Sequence, residues 1–280
     1  MFSFFARPVT GIAFGSEEVR AARASVKGTS LALLEHGEQS VPKEVAPSAE
    51  KLTLALRSLE TAGHLSLKRS VVLLPAECVY TQLFLIPATA KKNVMGFVND
   101  AVTHVIPEEF AQLKIVHRVL QDATDHTHVG VAAIRQDVLR TYQTACESDK
   151  RKIIALTTAP CAIISAHRGP KPTSFLLASF AFGQTIVTLF HHNWPIDEAI
   201  LPVAATADLL MNTAESMAAE YREQGLVIEK MLLAGTLEEP SHTHTLSLEP
   251  VFPAFKDRSW LDCACASVVN PTELSVNFLA

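Results

Sequence analysis

Two segments of the sequence share one pattern, in which an apolar strand, a glycine-bearing turn and a second apolar strand follow one another. The first segment occupies residues 9–24 and the second occupies residues 174–190. Strand-like and helix-like runs alternate between and after them, which is typical of an α/β fold. A pattern that recurs this far along the chain predicts two related lobes, with a separate unit inserted in the first.

The turn of the first segment has the layout of a phosphate-binding hairpin. Gly15 and Ser16 stand at the turn, where backbone N–H groups can face an anion. A hairpin that hydrolyses a nucleotide also needs a carboxylate beside the turn, to hold Mg²⁺ or its water shell. Ala13 stands at that place. The segment therefore has the backbone of a phosphate site without the acid that hydrolysis needs.

The composition narrows the classes of protein to which the chain can belong. Its 280 residues, 48% of them hydrophobic, suffice for one large or two ordinary domains with sheets buried on both faces or with surface left for partners. The sequence contains no stretch of about 18 uncharged apolar residues, so it does not predict a transmembrane helix. The N-terminal residues do not resemble a signal peptide. Residues 1–5 could still form a short amphipathic membrane anchor. The net charge of -5 argues against a nucleic-acid partner.

Hydrophobic periodicity places the remaining elements. Strands are expected at residues 10–14, 19–25, 30–36, 71–74, 79–86, 113–120, 128–134, 153–157, 174–179, 185–190 and 230–233. Helices are expected from residue 48 to about residue 63 and at residues 89–105, 136–149 and 205–221, with Thr89 as the cap of the second. Pro107 ends that helix by Ile106, because the residue before a proline disfavours the helical region.

These elements divide the chain into four parts. Residues 1–75 are expected to form part of the first lobe, and residues 76–158 a compact module with the order strand–helix–strand–strand–helix–strand. Residues 159–172 form a return segment and a polar, proline-bearing junction. Residues 173–280 form the second lobe.

Seven motifs, each loose by itself, carry a resemblance that covers almost the whole chain. They are GIAFGSEEVR at residues 11–20, two strand-then-proline runs at 71–75 and 85–87, a helix into Ile-Pro at 94–110, SFAFGQT at 179–185, LLAGT at 232–236 and SVNFL at 275–279. Together they resemble the actin-like ATPase superfamily. Within it, the chain is similar to the PilM family of type IV pilus assembly proteins, relatives of FtsA.

The resemblance implies a fold, a role and a partner. The fold is actin-like α/β, with two RNase H-like lobes and a small α+β module inserted in the first. The role is that of a cytoplasmic scaffold, peripheral to the inner membrane, in a type IV pilus or the related type II secretion platform. The partner is the short cytoplasmic tail of a PilN-like membrane protein. We expect its groove, between the first lobe and the module, to be lined by Leu74, Val79, Leu85, Val94, Phe97, Val98 and Ala101.

The chain departs from the superfamily at the nucleotide motifs. Ala13 and Ser179 replace the two expected aspartates, and Ala181 and Thr236 replace glycines that let a ligand approach the backbone. Arg20 replaces a lysine. We therefore expect a pseudo-ATPase that does not hydrolyse nucleotides and needs no cofactor. Any residual ATP binding would fall to Gly15, Ser16, Arg20, Thr185 and Gly235.

Two other functions stay open. The first is an ATP-binding ATPase whose metal is held by acids that sequence order hides. The second is an FtsA-like, membrane-tethered filament protein, which would be expected to end in an amphipathic helix. This chain instead ends in VVNPTELSVNFLA. A free-standing metabolic enzyme would need a catalytic constellation, and the sequence offers none.

Several histidines and cysteines have both a functional and an ordinary interpretation. The pairs are His126 with His128, His242 with His244, Cys263 with Cys265, and Cys161 with His167. The first two pairs fit a metal site or solvated loops, the third fits zinc or core packing, and the fourth has no supporting context for a nucleophile. No metal site is expected, and the cysteines fit reduced, buried thiols. Trp194, after a predicted hairpin turn at residues 191–194, is expected to cover the core rather than anchor a partner.

Overall fold

The structure, a computed structural model, describes most of the chain. The described residues are 9–15, 17–27, 30–41, 48–62, 65–107, 109–147, 151–167, 169–182, 184–202, 205–234, 245–251 and 274–279. The strands are β1 (Thr10–Phe14), β2 (Glu18–Lys27), β3 (Ser30–Ser40), β4 (Arg69–Leu74), β5 (Val79–Pro87), β6 (Leu113–Asp122), β7 (His126–Arg135), β8 (Lys152–Thr158), β9 (Ser174–Ala181), β10 (Gln184–His191), β11 (Trp194–Leu201), β12 (Lys230–Ala234) and β13 (Ser247–Pro250). The helices are α1 (Ala49–Ala62), α2 (Val94–Val105), α3 (Gln136–Cys146), α4 (Ala159–Ala166) and α5 (Ala207–Glu223).

The first lobe is built on a five-stranded sheet with the order β3-β2-β1-β4-β8. The strand β2 runs antiparallel to its neighbours β1 and β3, and β4 and β8 run parallel to β1. All five residues of β1 are buried, as expected for a strand covered on both faces. Leu52, Leu56 and Leu59 repeat at helical spacing on α1 and are buried, so this helix presents one apolar face to the core.

The second lobe repeats the same architecture. Its sheet has the order β11-β10-β9-β12-β13, with β9 to β11 antiparallel and β12 and β13 parallel to β9. In each sheet, the first strand in the chain (β1 or β9) pairs on one side with the next strand of an antiparallel meander. On its other side it pairs with a parallel strand, which is followed by a second parallel strand. Two lobes with this RNase H-like topology make an actin-like fold, which confirms the predicted fold class.

A three-stranded sheet, β5-β7-β6, forms the inserted module together with α2. The module has a small core of its own, to which α2 contributes Val98 and Val102 and the sheet contributes Ile86 and Val129. The sequence places β8 in this module, and that assignment is wrong, because β8 pairs in parallel with β4 of the first lobe. A short buried strand has the same sequence pattern in either sheet, so only its pairing decides where it belongs.

Some element boundaries differ from the predicted ones. The helix expected from Thr89 begins as a 3-10 helix at Ala88–Asn93 and becomes α-helical only at α2. Asn93 caps it, since Asn93 Oδ1 accepts a hydrogen bond of 3.1 Å from Gly96 N. The helix α4 has no predicted counterpart. Residues 160–164 are all buried, so they carry no amphipathic period from which a helix can be recognised.

The end of the chain closes the first lobe. Asn277 Oδ1 accepts hydrogen bonds of 3.1 Å from Leu156 N and Leu279 N, and Phe278 N donates one of 2.9 Å to Leu156 O. Val276 and Phe278 are buried. The motif at residues 275–279 thus covers an edge of β8 and ties the polypeptide that follows the second lobe back to the first. Among the described helices, none is long and apolar enough to cross a membrane.

Candidate nucleotide cleft and partner cavity

A small cavity lies between the two lobes, at the place that corresponds to a nucleotide cleft. Its volume is about 60 Å³, and its lining includes Ala13, Gly15, Leu74, Glu77 and Phe182. Pockets that hold small-molecule ligands usually have volumes of several hundred Å³, roughly 300–1,000 Å³. The cavity that the described lining residues leave is below this range.

The ring of Phe182 lies in the cleft, against the turn of the first hairpin. A Cβ atom added to Gly15 would lie 2.4 Å from two ring carbons of Phe182, so the aromatic ring rests on the glycine backbone. Phe182 adopts φ 46, a left-handed conformation that a residue other than glycine rarely takes. The close approach that Gly15 allows is thus used by an aromatic side chain of the opposite hairpin. In the sequence, the bulky Phe182 inside the second glycine-bearing turn was the feature that could have indicated this contact.

The described residues that were expected to hold phosphate and metal either form salt bridges with other side chains or are buried. Arg20, which lies opposite Ala13 in the hairpin, pairs with Glu18 at 3.1 Å and with Glu38 at 3.6 Å. Ser179 is fully buried and Thr185 is nearly so. Salt bridges to two carboxylates neutralise the guanidinium that an anion would need. The positions expected to carry acids thus present a methyl group and a buried hydroxyl.

One carboxylate, that of Glu77, is present among the described lining residues of the cleft. Magnesium in nucleotide sites takes one or two carboxylates besides phosphate oxygens and waters. Ser16, Gly183, Gly235 and Thr236 and the side chain of Ala181 lie outside the described residues. The predictions made for these positions stay predictions.

A larger cavity, of about 190 Å³, lies where the inserted module meets the second lobe. We call it the junction cavity. The strand β5, the helix α2 with Ile106 and the strand β7 form its apolar walls, and β11 contributes two acids. Its lining residues are Val79, Tyr80, Thr81, Gln82, Phe84, Val102, Val105, Ile106, Val131, Asp197 and Glu198.

The two acids of the junction cavity differ in their surroundings. Asp197 accepts hydrogen bonds from the backbone N–H of Glu198 and from the Tyr221 hydroxyl. The buried atom Glu198 Oε1 has no hydrogen-bond partner among the described residues. Burial, reinforced by the negative charges of Asp197 and Glu77, raises the pKa of Glu198 to about 8. An acidic pair within an otherwise apolar strand was the sequence signal for this site, and sequence reasoning missed it.

The seven residues expected to line one partner groove do not lie together. Val79 lines the junction cavity, and Leu74 lines the cleft between the lobes. Val98 is fully buried in the module core, where no ligand can contact it, and Val94 packs against that core. Leu85 and Phe97 are exposed, and Ala101 is half-buried. The helix α2 packs Val98 and Val102 onto its own sheet, and its end, with Val102 and Val105, lines the junction cavity.

The junction is closed by Trp194, the first residue of β11. His192 and Asn193 both have positive φ angles, 50 and 62, which is the geometry of a tight two-residue hairpin turn. The turn predicted there is confirmed. Trp194 is only 3% exposed, and its indole ring lies where a Cβ on Gly130 of β7 would be, at 2.3 Å from Cδ1. Trp194 therefore covers the core, as expected, and it is buried, whereas the sequence had placed it on the surface.

A chain of histidines also crosses this junction. His126 Nε2 lies 3.0 Å from His128 Nε2, His128 Nδ1 lies 3.3 Å from His191 Nε2, and His191 Nδ1 lies 2.8 Å from Ser174 Oγ. His128 and His191 are buried, so the solvated-loop interpretation is wrong for His128. Because His128 uses its two nitrogens towards different partners, the three rings do not converge on one point. No metal-binding group is found among the described residues.

We expect acid to destabilise the protein because of these buried histidines. Burial and the neighbours His192 and His128 lower the pKa of His191 from 6.5 to about 4, so the unfolded chain binds a proton that the folded protein does not between these pH values. Stability then falls as the pH falls from about 6.5 to about 4. We expect His191→Gln to remove about 2 kcal/mol of this loss, measured by urea unfolding at both ends of the range.

The matched control for this titration is His36→Gln, since His36 is exposed on β3. It should leave the pH dependence of the free energy of unfolding as it is in the wild type. A wild-type protein that is equally stable at both pH values would contradict the prediction.

Among the described cysteines, Cys161, the nucleophile candidate, and Cys146 are buried, and Cys78 is half-buried. Cys78, Cys146 and Cys161 are free, and burial raises the pKa of each thiol, to about 11 for Cys78 and about 12 for Cys146. Thiols with raised pKa values are poor nucleophiles at neutral pH. His242, His244, Cys263 and Cys265 lie outside the described residues.

Two solved structures share this architecture over nearly the whole chain. A chain of the PilM-PilN type IV pilus biogenesis complex superposes with a TM-score of 0.64, covering 95% of this chain and 97% of that chain at 15% sequence identity. The cytoplasmic domain of EpsL, an inner membrane component of the type II secretion system of Vibrio cholerae, superposes with a TM-score of 0.62, covering 98% of each chain at 13% identity. The sequence matches no family model and no curated protein. The chain therefore has the same fold as these two components of pilus and secretion systems.

Proposed function

We propose that this protein is a non-catalytic, cytoplasmic scaffold of an inner-membrane platform that builds a type IV pilus or drives type II secretion. In this role it binds the short cytoplasmic tail of a PilN-like membrane protein. The proposal rests on one observation: the fold matches components of both machines over nearly its whole length, while an aromatic ring lies against the glycine turn of its nucleotide cleft. Capture of an extended peptide needs apolar surface and hydrogen-bonding groups and does not need catalysis.

The test uses a synthetic peptide that covers the first cytoplasmic residues of the membrane protein encoded next to this chain. We expect saturable binding by isothermal titration calorimetry, with a dissociation constant of about 1–10 μM, equivalent to about -8 to -7 kcal/mol. A scrambled peptide of the same composition is the matched control. Absence of binding, or equal binding of the scrambled peptide, would contradict the proposed function.

We expect Phe182→Ala to enlarge the cleft without creating a nucleotide site. The substitution removes the ring that lies against Gly15, but it restores neither of the acids missing at Ala13 and Ser179. Titration with Mg-ATP should therefore give no heat of binding at concentrations up to about 1 mM, a weak-binding limit of about -4 kcal/mol.

The wild-type protein titrated in parallel separates this proposal from its main alternative. Micromolar affinity of the wild type for Mg-ATP would support an ATP-binding actin-like ATPase, with Glu77 as a metal ligand. Binding by Phe182→Ala alone would show that the ring, rather than the missing acids, is what blocks the nucleotide.

A further inference from the structure

We propose that the junction cavity receives an arginine side chain of a partner peptide, with the carboxylate of Glu198 as its acceptor. The proposal deepens the proposed function and rests on it, because it names the side chain of the captured tail that the cavity selects. The cavity is about 190 Å³ in volume, and Glu198 lines it together with Asp197.

The first argument is the unfulfilled hydrogen-bonding capacity of Glu198. Its atom Oε1 is buried without a partner among the described residues, although buried polar atoms in folded proteins nearly always have one. The neighbouring Asp197 is already satisfied by a backbone N–H and a tyrosine hydroxyl. A donor that enters the cavity would therefore be held by Glu198.

The second argument is the sign of the local charge. The charged groups that act on Glu198 are Asp197 and Glu77, and Glu220 acts on Asp197. All four groups are acidic. In the free protein these like charges and burial keep a proton on Glu198 up to about pH 8. A guanidinium that enters the cavity displaces this proton and pairs with the carboxylate, whereas an acidic or neutral ligand leaves Glu198 protonated.

The third argument is the shape and polarity of the walls. Apolar residues of β5, α2 and β7 line the cavity between its mouth, where Val105 is 52% exposed, and the acids of β11. An arginine side chain has the matching distribution, with an apolar stem and a charged, planar head that is weakly hydrated and suited to buried ion pairs. Cytoplasmic segments next to membrane helices are rich in lysine and arginine, so the tail of a membrane protein can supply this group.

The experiment compares two blocked pentapeptides, acetyl-Ser-Leu-Arg-Leu-Ser-amide and the same peptide with citrulline in place of arginine. Citrulline keeps the shape of the side chain and removes the charge. Chemical-shift titration of the ¹³C-labelled glutamate carboxyl groups follows binding at Glu198 directly. We expect the arginine peptide to bind at least about tenfold more tightly than the citrulline peptide, the equivalent of about 1.4 kcal/mol.

Glu198→Gln is the decisive variant, because it keeps the volume of the side chain and removes its charge. It should abolish the preference for arginine, while Glu223→Gln, at an exposed position at the end of α5, should leave it unchanged. Equal affinities of the two peptides for the wild type, or a preference that survives Glu198→Gln, would overturn the proposal. A tail peptide that binds the wild type and Glu198→Gln equally well would overturn the arginine site and leave the proposed function standing.

Discussion

Trp194→Ala should lower the free energy of unfolding by about 4 kcal/mol, the largest effect that we expect from a single substitution in this protein. Trp194 is 3% exposed and packs on Gly130 of the inserted module, so its removal leaves a cavity between the module and the second lobe. Neighbouring residues cannot fill that space, because a glycine faces it. Urea unfolding followed by circular dichroism measures the loss.

Two further variants make this prediction specific. Val227→Ala truncates an apolar side chain that is 69% exposed, and it should change the free energy of unfolding by less than about 0.5 kcal/mol. Gly130→Ala should destabilise the wild type, since the new methyl group meets the indole ring, and it should destabilise the Trp194→Ala background much less. Additive effects of the two substitutions would show that the indole ring does not pack on Gly130.

Glu198→Gln should stabilise the protein by about 3 kcal/mol near pH 7. The folded protein keeps a proton on Glu198 up to about pH 8, whereas the unfolded chain releases it near pH 4.5. Between these values the folded state binds more protons, so the free energy of unfolding of the wild type falls as the pH rises. Glutamine does not titrate and therefore removes this loss.

The comparison is made by urea unfolding at several pH values on either side of the pKa of Glu198. Wild type and Glu198→Gln should differ little below pH 4.5 and diverge steadily above it, and Glu223→Gln should follow the wild type throughout. Parallel curves for wild type and Glu198→Gln would mean that the carboxyl group is solvated. A buried carboxyl group that lowers stability at neutral pH fits a site shaped for a ligand, since functional sites commonly reduce stability.

The repeated hairpins made the fold predictable. Ile12 and Leu176 lie in uninterrupted apolar runs, which predict buried strands, and the structure has buried strands there. The turns that follow these strands carry glycine. Local patterns failed where they are ambiguous. A short apolar run such as Ile153 to Thr157 does not state which sheet it joins, and the helix at Ala159–Ala166, buried over most of its surface, has no polar face that would reveal its period.

The candidate site was predictable only in part. The absence of aspartates at Ala13 and Ser179 is a property of the residues themselves and needs no coordinates. The groove was placed around Val98 because α2 is apolar, and the structure shows that this side of the helix packs on the module's own sheet. An apolar helix face has the same sequence whether it contacts its own domain or a partner, so the pattern could not distinguish the two.

The sequence alone determined the two-lobed α/β architecture and the loss of the acids that nucleotide chemistry needs, because strand periodicity, turn residues and side-chain chemistry are local properties. Tertiary structure alone decided which side chain lies against the glycine turn of the cleft and which buried carboxyl group has an oxygen without a hydrogen-bond partner among the described residues. Phe182 meets Gly15, Trp194 meets Gly130, and Glu198 meets the walls of the module, each across a long separation in the chain. Such contacts depend on how the lobes and the module pack, and burial there is what changes the pKa of an ordinary glutamate.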